Sequence, residues 1–291
     1  MNKAIETSSP VRRSTFVVRQ MEGPQEVQIA LDWAAQEGWN PGLHDAECFY
    51  TADPEGFFLG LLGGEPIASG FAVIYNDFLA FWGGYIVRPE YRDQGYGMRL
   101  TQVKLTYVGR RNVGLDAPPS MAEKYARLGF REAFRNIRYE VKAAGQARPG
   151  IVELRRIPFR EVAAYDTVHF GAARVGFLRR WISQPEAWAL GAIRQGRLAG
   201  FGVLRPAHRG YRIGPLFADD PATAEDLFLA LCHRVSGKPV FLDVPQLNSE
   251  AVALAQRHKM KPVWEVVRMY LKGMPEVPME HIFGMTTLDI G

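Results

Sequence analysis

The stretch that decides the fold is an arginine- and glycine-containing turn, Val87-Arg88-Pro89-Glu90-Tyr91-Arg92-Asp93-Gln94-Gly95-Tyr96-Gly97-Met98-Arg99-Leu100. It follows an apolar, β-rich run over Phe78 to Val87 and precedes apolar residues at helical spacing. The two glycines lack Cβ atoms, so backbone N–H groups can converge on an anion, and a helix N-terminus adds about half a positive charge. The turn therefore predicts a binding site for a pyrophosphate.

Two well-known phosphate loops do not fit this turn. No Lys-Ser or Lys-Thr pair follows the second glycine, as a nucleotide hydrolase would require. The spacing is not Gly-x-Gly-x-x-Gly, and no ribose-binding acid stands at the right distance. The remaining pattern, Arg92-x-x-Gly95-x-Gly97 after Val-x-Pro, resembles the pyrophosphate loop of the GNAT acyltransferase superfamily, which binds acetyl-coenzyme A.

A second motif agrees with this resemblance. Tyr125, Gly129 and Phe130 form Tyr-x-x-x-Gly-Phe, which closes a predicted helix with Gly129 at its C-cap, as the superfamily's second motif does. Upstream, Gly56 to Leu62 and Ile67 to Tyr75 predict a β-hairpin. The order of predicted elements is that of the GNAT fold, which implies the mixed α+β class, with a mostly antiparallel twisted sheet flanked by helices.

Composition narrows the class of protein. The 291 residues suffice for two domains, and 47% hydrophobic with 23% charged residues is typical of a soluble globular protein. A net charge of +4 without a long basic block interleaved with aromatics predicts no nucleic-acid partner, and no segment predicts a membrane span. Cys48 and Cys232 have no metal-binding spacing, and Met1 to Pro10 is polar, so we expect a cytoplasmic protein without a metal.

The chain repeats one order of elements at an offset of about 130 residues, which predicts duplication of one fold. Turns match turns, Leu115-Asp116-Ala117-Pro118 matches Leu242-Asp243-Val244-Pro245, and Tyr85-Ile86-Val87 is matched with Ile213 to Leu216. The predicted division is an N-terminal tail at 1–11, a GNAT domain at 12–143, a linker at 144–150, a second GNAT-like domain at 151–272 and a C-terminal tail at 273–291.

The second copy lacks the residues for the chemistry. Asp219 and Asp220 stand where the first copy has its glycine turn, and two carboxylates there would repel a pyrophosphate. Asp followed by Pro221 is instead a sound start for a helix, and Ala255 stands in place of Tyr125. The second half resembles the degenerate domain of tandem GNAT proteins, and we expect it to cover the acceptor side of the first half's active site.

The resemblance implies a set of cofactor-binding residues. Backbone N–H groups of the turn would hold the pyrophosphate, backbone of the strand end would hold the pantetheine arm, and Gly83-Gly84 would let that strand bend. The implied set is Tyr85, Ile86, Val87, Arg92, Asp93, Gln94, Gly95, Tyr96, Gly97, Met98 and Ser120. Ser120 stands in Pro118-Pro119-Ser120, where the superfamily commonly has an asparagine.

The catalytic residues are less well defined. Tyr125 is the candidate general acid for the leaving thiolate, and the alternative is a tyrosine that packs under Phe130. The strand Phe78 to Val87 has no carboxylate to act as general base. The candidates are Asp116, and His44 with Glu47, which the sequence also allows to be an ordinary helix start.

These observations predict an N-acetyltransferase that moves an acetyl group from acetyl-CoA to a primary amine of a small molecule or peptide. Two alternatives stay open: a non-catalytic CoA-binding regulatory module, and a tandem-GNAT aminoacyl transferase that uses charged tRNA. The acceptor and a homodimeric state are not decided by the sequence.

Overall fold

The computed structural model describes residues 15–291, so the tail predicted at 1–11 lies outside the described residues. The strands are β1 Phe16–Gln20, β2 Phe57–Leu62, β3 Glu65–Ile74, β4 Leu79–Val87, β5 Asn112–Ala117, β6 Arg131–Lys142, β7 Ile151–Glu153, β8 Trp188–Arg194, β9 Arg197–Pro206, β10 Tyr211–Ala218, β11 Pro239–Pro245, β12 Lys261–Tyr270 and β13 Ile282–Gly284. The helices are α1 Pro24–Gln36, α2 Asp45–Tyr50, α3 Tyr96–Val108, α4 Pro119–Ala126, α5 Phe159–Phe170, α6 Val175–Trp181, α7 Pro221–Arg234 and α8 Ser249–Arg257. Across residues 15–291, no helix combines the length and apolarity that crossing a membrane requires.

The two halves contain the same elements in the same order, with β13 added at the end of the second. The helix before each closing strand shows the correspondence in detail. Phe130 N–H donates to the Tyr125 carbonyl, and Met260 N–H donates to the Ala255 carbonyl. The residue before each donor has a left-handed backbone, Gly129 with φ 96° and Lys259 with φ 52°. The match of Ala255 with Tyr125 is therefore confirmed.

The strands of residues 15–291 form one mixed sheet that is mostly antiparallel, in the order β1-β2-β3-β4-β5-β12-β6-β11-β10-β9-β8-β7, with β13 beside β10. This confirms the predicted fold class. The halves exchange their closing strands: β12 lies between β5 and β6, and β6 pairs with β11. The linker predicted at 144–150 divides the chain, but no division of the sheet accompanies it.

Apolar side chains form three clusters that follow from this exchange. One lies under the sheet of the first half and one under that of the second. The third joins the halves, where Phe49 of α2 stacks on Trp181 of α6 with ring centroids 6.1 Å apart. The second half is thus part of the core on which the first half rests.

The sheet opens at one point in each half. β4 pairs with β5 in parallel only as far as Trp82, and its register with β3 shifts around Gly84, which has φ 52°. β10 pairs with β11 in parallel only as far as Ile213. Trp82 and Ile213 are thus equivalent, which corrects the sequence alignment that matched Tyr85 with Ile213. We call these openings the first cleft (β4–β5) and the second cleft (β10–β11).

Residues 282–291 fill the second cleft and continue to the first. β13 pairs with β10, and Met285 N–H donates to the Asp243 carbonyl of β11 at 2.9 Å. The chain passes so close to β10 that a Cβ on Gly214 would lie 2.4 Å from the Thr286 carbonyl oxygen. Further on, Tyr75 Oη donates to the Ile290 carbonyl at 2.5 Å. We call residues 282–291 the closing segment.

Candidate active site

A cavity of about 750 Å³ begins at the turn before α3, follows the first cleft and ends against β6, β12 and the closing segment. Nine of the predicted cofactor-binding residues line it, namely Tyr85, Ile86, Val87, Arg92, Asp93, Gly95, Gly97, Met98 and Ser120. Two predicted catalytic residues, Tyr125 and Asp116, line it as well. The structure thus brings most of the predicted site together.

The turn before α3 presents a row of free backbone donors. Within residues 15–291, no group accepts a hydrogen bond from the backbone N–H groups of residues 93–98. Asp93 (φ 59°) and Gly95 (φ 84°) have left-handed backbones, which turns successive N–H groups toward one concave surface at the helix N-terminus. This geometry suits a pyrophosphate.

Gly97 has a steric role that the sequence did not indicate. A Cβ at this position would lie 2.1 Å from the Tyr85 hydroxyl oxygen. The missing side chain therefore allows β4 to pack against the first turn of α3, and it leaves the N–H groups accessible. Gly97 joins the two parts of the site, the anion-binding turn and the first cleft.

Three predicted cofactor residues are placed differently from the rest. Arg92 lines the cavity, but its guanidinium donates to Glu37 and to the Val87 carbonyl, so part of its donor capacity is already used. Gln94 donates to the Glu90 carbonyl, and the Tyr96 ring packs on Phe16. Neither of these two side chains lines the cavity, so any contribution from Gln94 and Tyr96 is through their backbone N–H groups.

Tyr125 lies in the cavity wall on α4. Its ring meets Phe130 edge to face, with centroids 5.9 Å apart, so it also has the packing role considered as the alternative. Burial raises the pKa of Tyr125 well above its usual range, and Tyr85 adds to this effect. The phenol therefore keeps its proton at neutral pH and can donate it.

The candidates for general base need correction. Arg268 donates to both carboxylate oxygens of Asp116 (2.9 and 2.6 Å), and Asn136 donates to one of them (2.9 Å). Asp116 is therefore the acidic partner in a structural ion pair. His44 and Glu47 line a separate groove beside α6, where Glu47 pairs with Arg180. They are not placed to deprotonate a molecule in the cavity. The sequence suggested all three because acidic residues near predicted strand and helix ends are visible without their partners.

Several cavity residues were not predicted from the sequence. Asp289 and Leu288 come from the closing segment, and Trp264 comes from the exchanged strand β12. Lys104 of α3 is only 1% exposed and places Nζ 4.4 Å from the Trp82 ring centroid. Burial lowers the pKa of Lys104 to about 7. Asp289 and Trp264 have no sequence signal for this role, because the closing segment and the strand exchange decide their neighbours.

The second half has a different use for the residues at the matching turn. Asp220 caps α7 and accepts from the Thr223 N–H and hydroxyl, both at 2.8 Å. Asp219 accepts from Tyr165 at 2.6 Å and lies near His169 and His281, with donor atoms within 4.8 Å of one another, outside the cavity. With a carboxylate on the helix N-terminus and the second cleft filled, this half presents no anion site like the first.

The turn, the first cleft and the duplicated sheet define the class of protein. The chain belongs to the GNAT acyltransferase family, with two GNAT units in tandem, and acyl transfer is its general chemistry. Residues 25–130 match the acetyltransferase (GNAT) family, and residues 162–284 match an acetyltransferase (GNAT) domain.

One relative and two solved structures resemble this chain over most of its length. The chain is 31% identical to the holothin acyltransferase of Pseudoalteromonas sp. (strain SANK 73390) over 270 residues, and this alignment covers 92% of each protein. A crystal structure from Pyrococcus horikoshii, described as an acetyltransferase, shares the fold with a TM-score of 0.80 at 23% identity and covers 100% of both chains. A tandem GNAT protein from the clavulanic acid biosynthesis pathway has a TM-score of 0.62 at 13% identity, covering 88% of this chain and 98% of that one.

Proposed function

We propose that this protein transfers an acetyl group from acetyl-CoA to a primary amine of a small molecule, with one active site per chain in the first half. The row of free N–H groups at residues 93–98, which opens directly into the first cleft, carries the proposal. An anion held there directs the rest of an extended ligand along β4 into the cavity. GNAT proteins in general use acyl-CoA, and the free N–H groups and the unpaired edge of β4 support the same co-substrate here.

Different residues along the cavity bind the pyrophosphate, polarise the thioester and supply the proton for the leaving group. The N–H groups of residues 93–98 bind the pyrophosphate, and the unpaired edge of β4 after Trp82 holds the pantetheine arm and polarises the thioester carbonyl. Tyr125 holds a proton for the departing thiolate. The acceptor amine attacks from the far end of the cavity.

The far end of the cavity is shaped for a small acceptor. Three indole rings line the cavity, those of Trp39, Trp82 and Trp264, and the exchanged strand and the closing segment form its inner wall. The second half therefore covers the acceptor side. A concave site with a mostly apolar wall and a few polar groups favours a small molecule over a peptide, and one relative of this chain is named holothin acyltransferase.

Calorimetry with acetyl-CoA, followed by a coenzyme A-release screen, tests this proposal. We expect one equivalent bound per chain and release with at least one amine among amino acids, polyamines, aminoglycosides and short peptides. Gly97→Asp should weaken binding by about a hundredfold or more, because it places a carboxylate beside the phosphates and a Cβ against Tyr85.

A matched substitution in the second half is the control. Gly97 and Ala222 each occupy the second position of their helix, α3 and α7. Ala222→Asp should leave acetyl-CoA affinity unchanged. Two equivalents bound, or undiminished affinity in Gly97→Asp, would contradict the proposal. Tight binding with no release for any amine would favour the CoA-binding regulatory module instead.

A further inference from the structure

Two buried carboxylates lie in the inner wall of the cavity, and their hydrogen bonds differ. Asp116 is held by Arg268 and Asn136 at distances of 2.6 to 2.9 Å, so both of its oxygens are used. Asp289 is 7% exposed, and the only side-chain bond to its carboxylate within the described part of the chain is a long one, 3.4 Å from Thr287 Oγ1. Asp289 is thus the carboxylate that is available to a molecule in the cavity.

The arginines nearest to Asp289 already have other partners. Arg138 on β6 and Arg212 on β10 both bind Asp243, and Arg205 on β9 binds Asp45 on α2. The three arginines carry three positive charges, and Asp243 and Asp45 carry two negative charges. An ionised Asp289 balances the remaining positive charge without a direct ion pair. Burial raises the pKa of Asp289, with Asp45 adding to that effect and Arg212, Arg138 and Arg205 opposing it.

The backbone fixes Asp289 in place. Its N–H donates to Thr287 Oγ1 at 2.7 Å, and its carbonyl lies against β4, where a Cβ on Gly83 would be 1.7 Å from the oxygen. Upstream, β13 is held in the second cleft between β10 and β11. The segment therefore brings an acid to the β4 strand, whose own residues 79–87 include none.

We propose that Asp289 is the general base that deprotonates the acceptor amine, and that the second half supplies it by binding the closing segment in a cleft that it no longer uses for coenzyme A. This inference rests on the proposed function. Asp289 takes one proton from the acceptor ammonium and passes it to water. The neutral nitrogen then forms the C–N bond as the C–S bond breaks, and the sulfur takes a proton from Tyr125. The nitrogen loses its second proton to water, and a proton from water restores Tyr125.

Asp289→Asn, which keeps the shape and removes the base, tests the proposal. The assay uses acetyl-CoA with two acceptors: the fastest alkylamine of the screen, which is an ammonium at neutral pH, and hydroxylamine, which is already neutral. We expect kcat with the alkylamine to fall about a hundredfold, the KM for acetyl-CoA to stay the same, and turnover of hydroxylamine to fall far less. An equal loss with both acceptors, or none with either, would overturn the proposal.

The pH profile gives a second test. A general base must be deprotonated, so kcat/KM of the wild-type protein with the alkylamine should fall on the acid side, at a pH above the usual aspartate range because burial raises this pKa. That limb should be absent in Asp289→Asn with the same alkylamine. An acid limb at the same pH in Asp289→Asn would overturn the assignment. Failure of the proposed function itself would show differently, as no binding of acetyl-CoA.

Discussion

The first and second clefts begin with the same geometry and end with different contents. Both are made where a strand leaves its parallel neighbour at a glycine, Gly83 in the first half and Gly214 in the second. The first cleft leads from a turn with free N–H groups into an open cavity. The second begins at a carboxylate-capped helix and is filled by the closing segment.

This difference shows how a duplicated fold can lose its chemistry in one copy and keep the geometry that supported it. An opening between parallel strands exposes backbone donors and acceptors, which must be paired when buried. In the first half the coenzyme arm is expected to pair with them. In the second, the closing segment does so, with Met285 N–H on the Asp243 carbonyl as one example.

The largest expected effect follows from separating the halves. A chain ending at Ala147 lacks β12, which makes four residue pairs with β5 and nine with β6. It would also lose the Trp181 side of the shared core. We expect this chain to show no cooperative thermal unfolding by circular dichroism.

Co-expression is the control for that prediction. A chain ending at Ala147 and a second chain beginning at Arg148 should associate and regain binding of acetyl-CoA, because the break falls in the connection and leaves every strand intact. A monomeric first half that unfolds cooperatively and binds acetyl-CoA would show that the exchanged strand is dispensable, and that the two halves are separable after all.

The strand exchange also marks the limit of what the sequence could predict about the fold. Periodicity and turn residues are local signals, and they identified the hairpin, the strand and helix at the anion-binding turn and the helix of the second motif, together with a repeat of this order in the second half. They do not say which strand a strand pairs with. β6 and β12 occupy equivalent positions in their halves, so each could close either sheet, and only the side chains of the whole core decide between these arrangements.

The candidate site likewise has one part that local sequence signals predict and another part that they do not. The anion-binding turn was predictable because its function lies in one continuous stretch of backbone, residues 92 to 98. Tyr125 was predictable from a motif in the next helix. Asp289 was not, because it lies about 200 residues from Gly83 in sequence and reaches it only through the second cleft. The candidates His44, Glu47 and Asp116 were chosen by type and proximity, without knowledge of their partners.

Tyr125 and Ala255 differ at equivalent positions, and this gives the second prediction. Tyr125→Phe should lower kcat about a hundredfold and change the KM for acetyl-CoA little, because only the proton for the leaving sulfur is lost. Steady-state kinetics with the best amine of the screen would measure this. Tyr107→Phe is the matched control, since Tyr107 bonds Asp53 and does not line the cavity. An unchanged kcat would assign Tyr125 to packing against Phe130.

Lys104 and Leu231 form the last contrast. Lys104 approaches Gly70 on β3, and Leu231 approaches Gly202 on β9, so the two side chains occupy matching places under the sheet. The Lys104 ammonium is buried without a carboxylate partner within the described residues, whereas the Leu231 side chain carries no charge. Lys104→Leu should therefore raise the free energy of unfolding by an amount on the order of a few kcal/mol at pH 7.

The sign of the pH dependence makes this prediction specific. The pKa of Lys104 is about 7 in the folded protein and that of an unfolded lysine is about 10.4. At and below pH 7 the full cost of burying the ammonium is present in the wild type. Between pH 7 and about 10.4 only the unfolded chain holds the proton, so the wild type gains stability as the pH rises. The advantage of Lys104→Leu should thus shrink steadily over this interval in urea titrations, whereas the exposed control Lys238→Leu should show no such trend. An advantage that is constant with pH would mean that Lys104 keeps an ordinary lysine pKa in the folded protein, and that the first half tolerates its ammonium without cost.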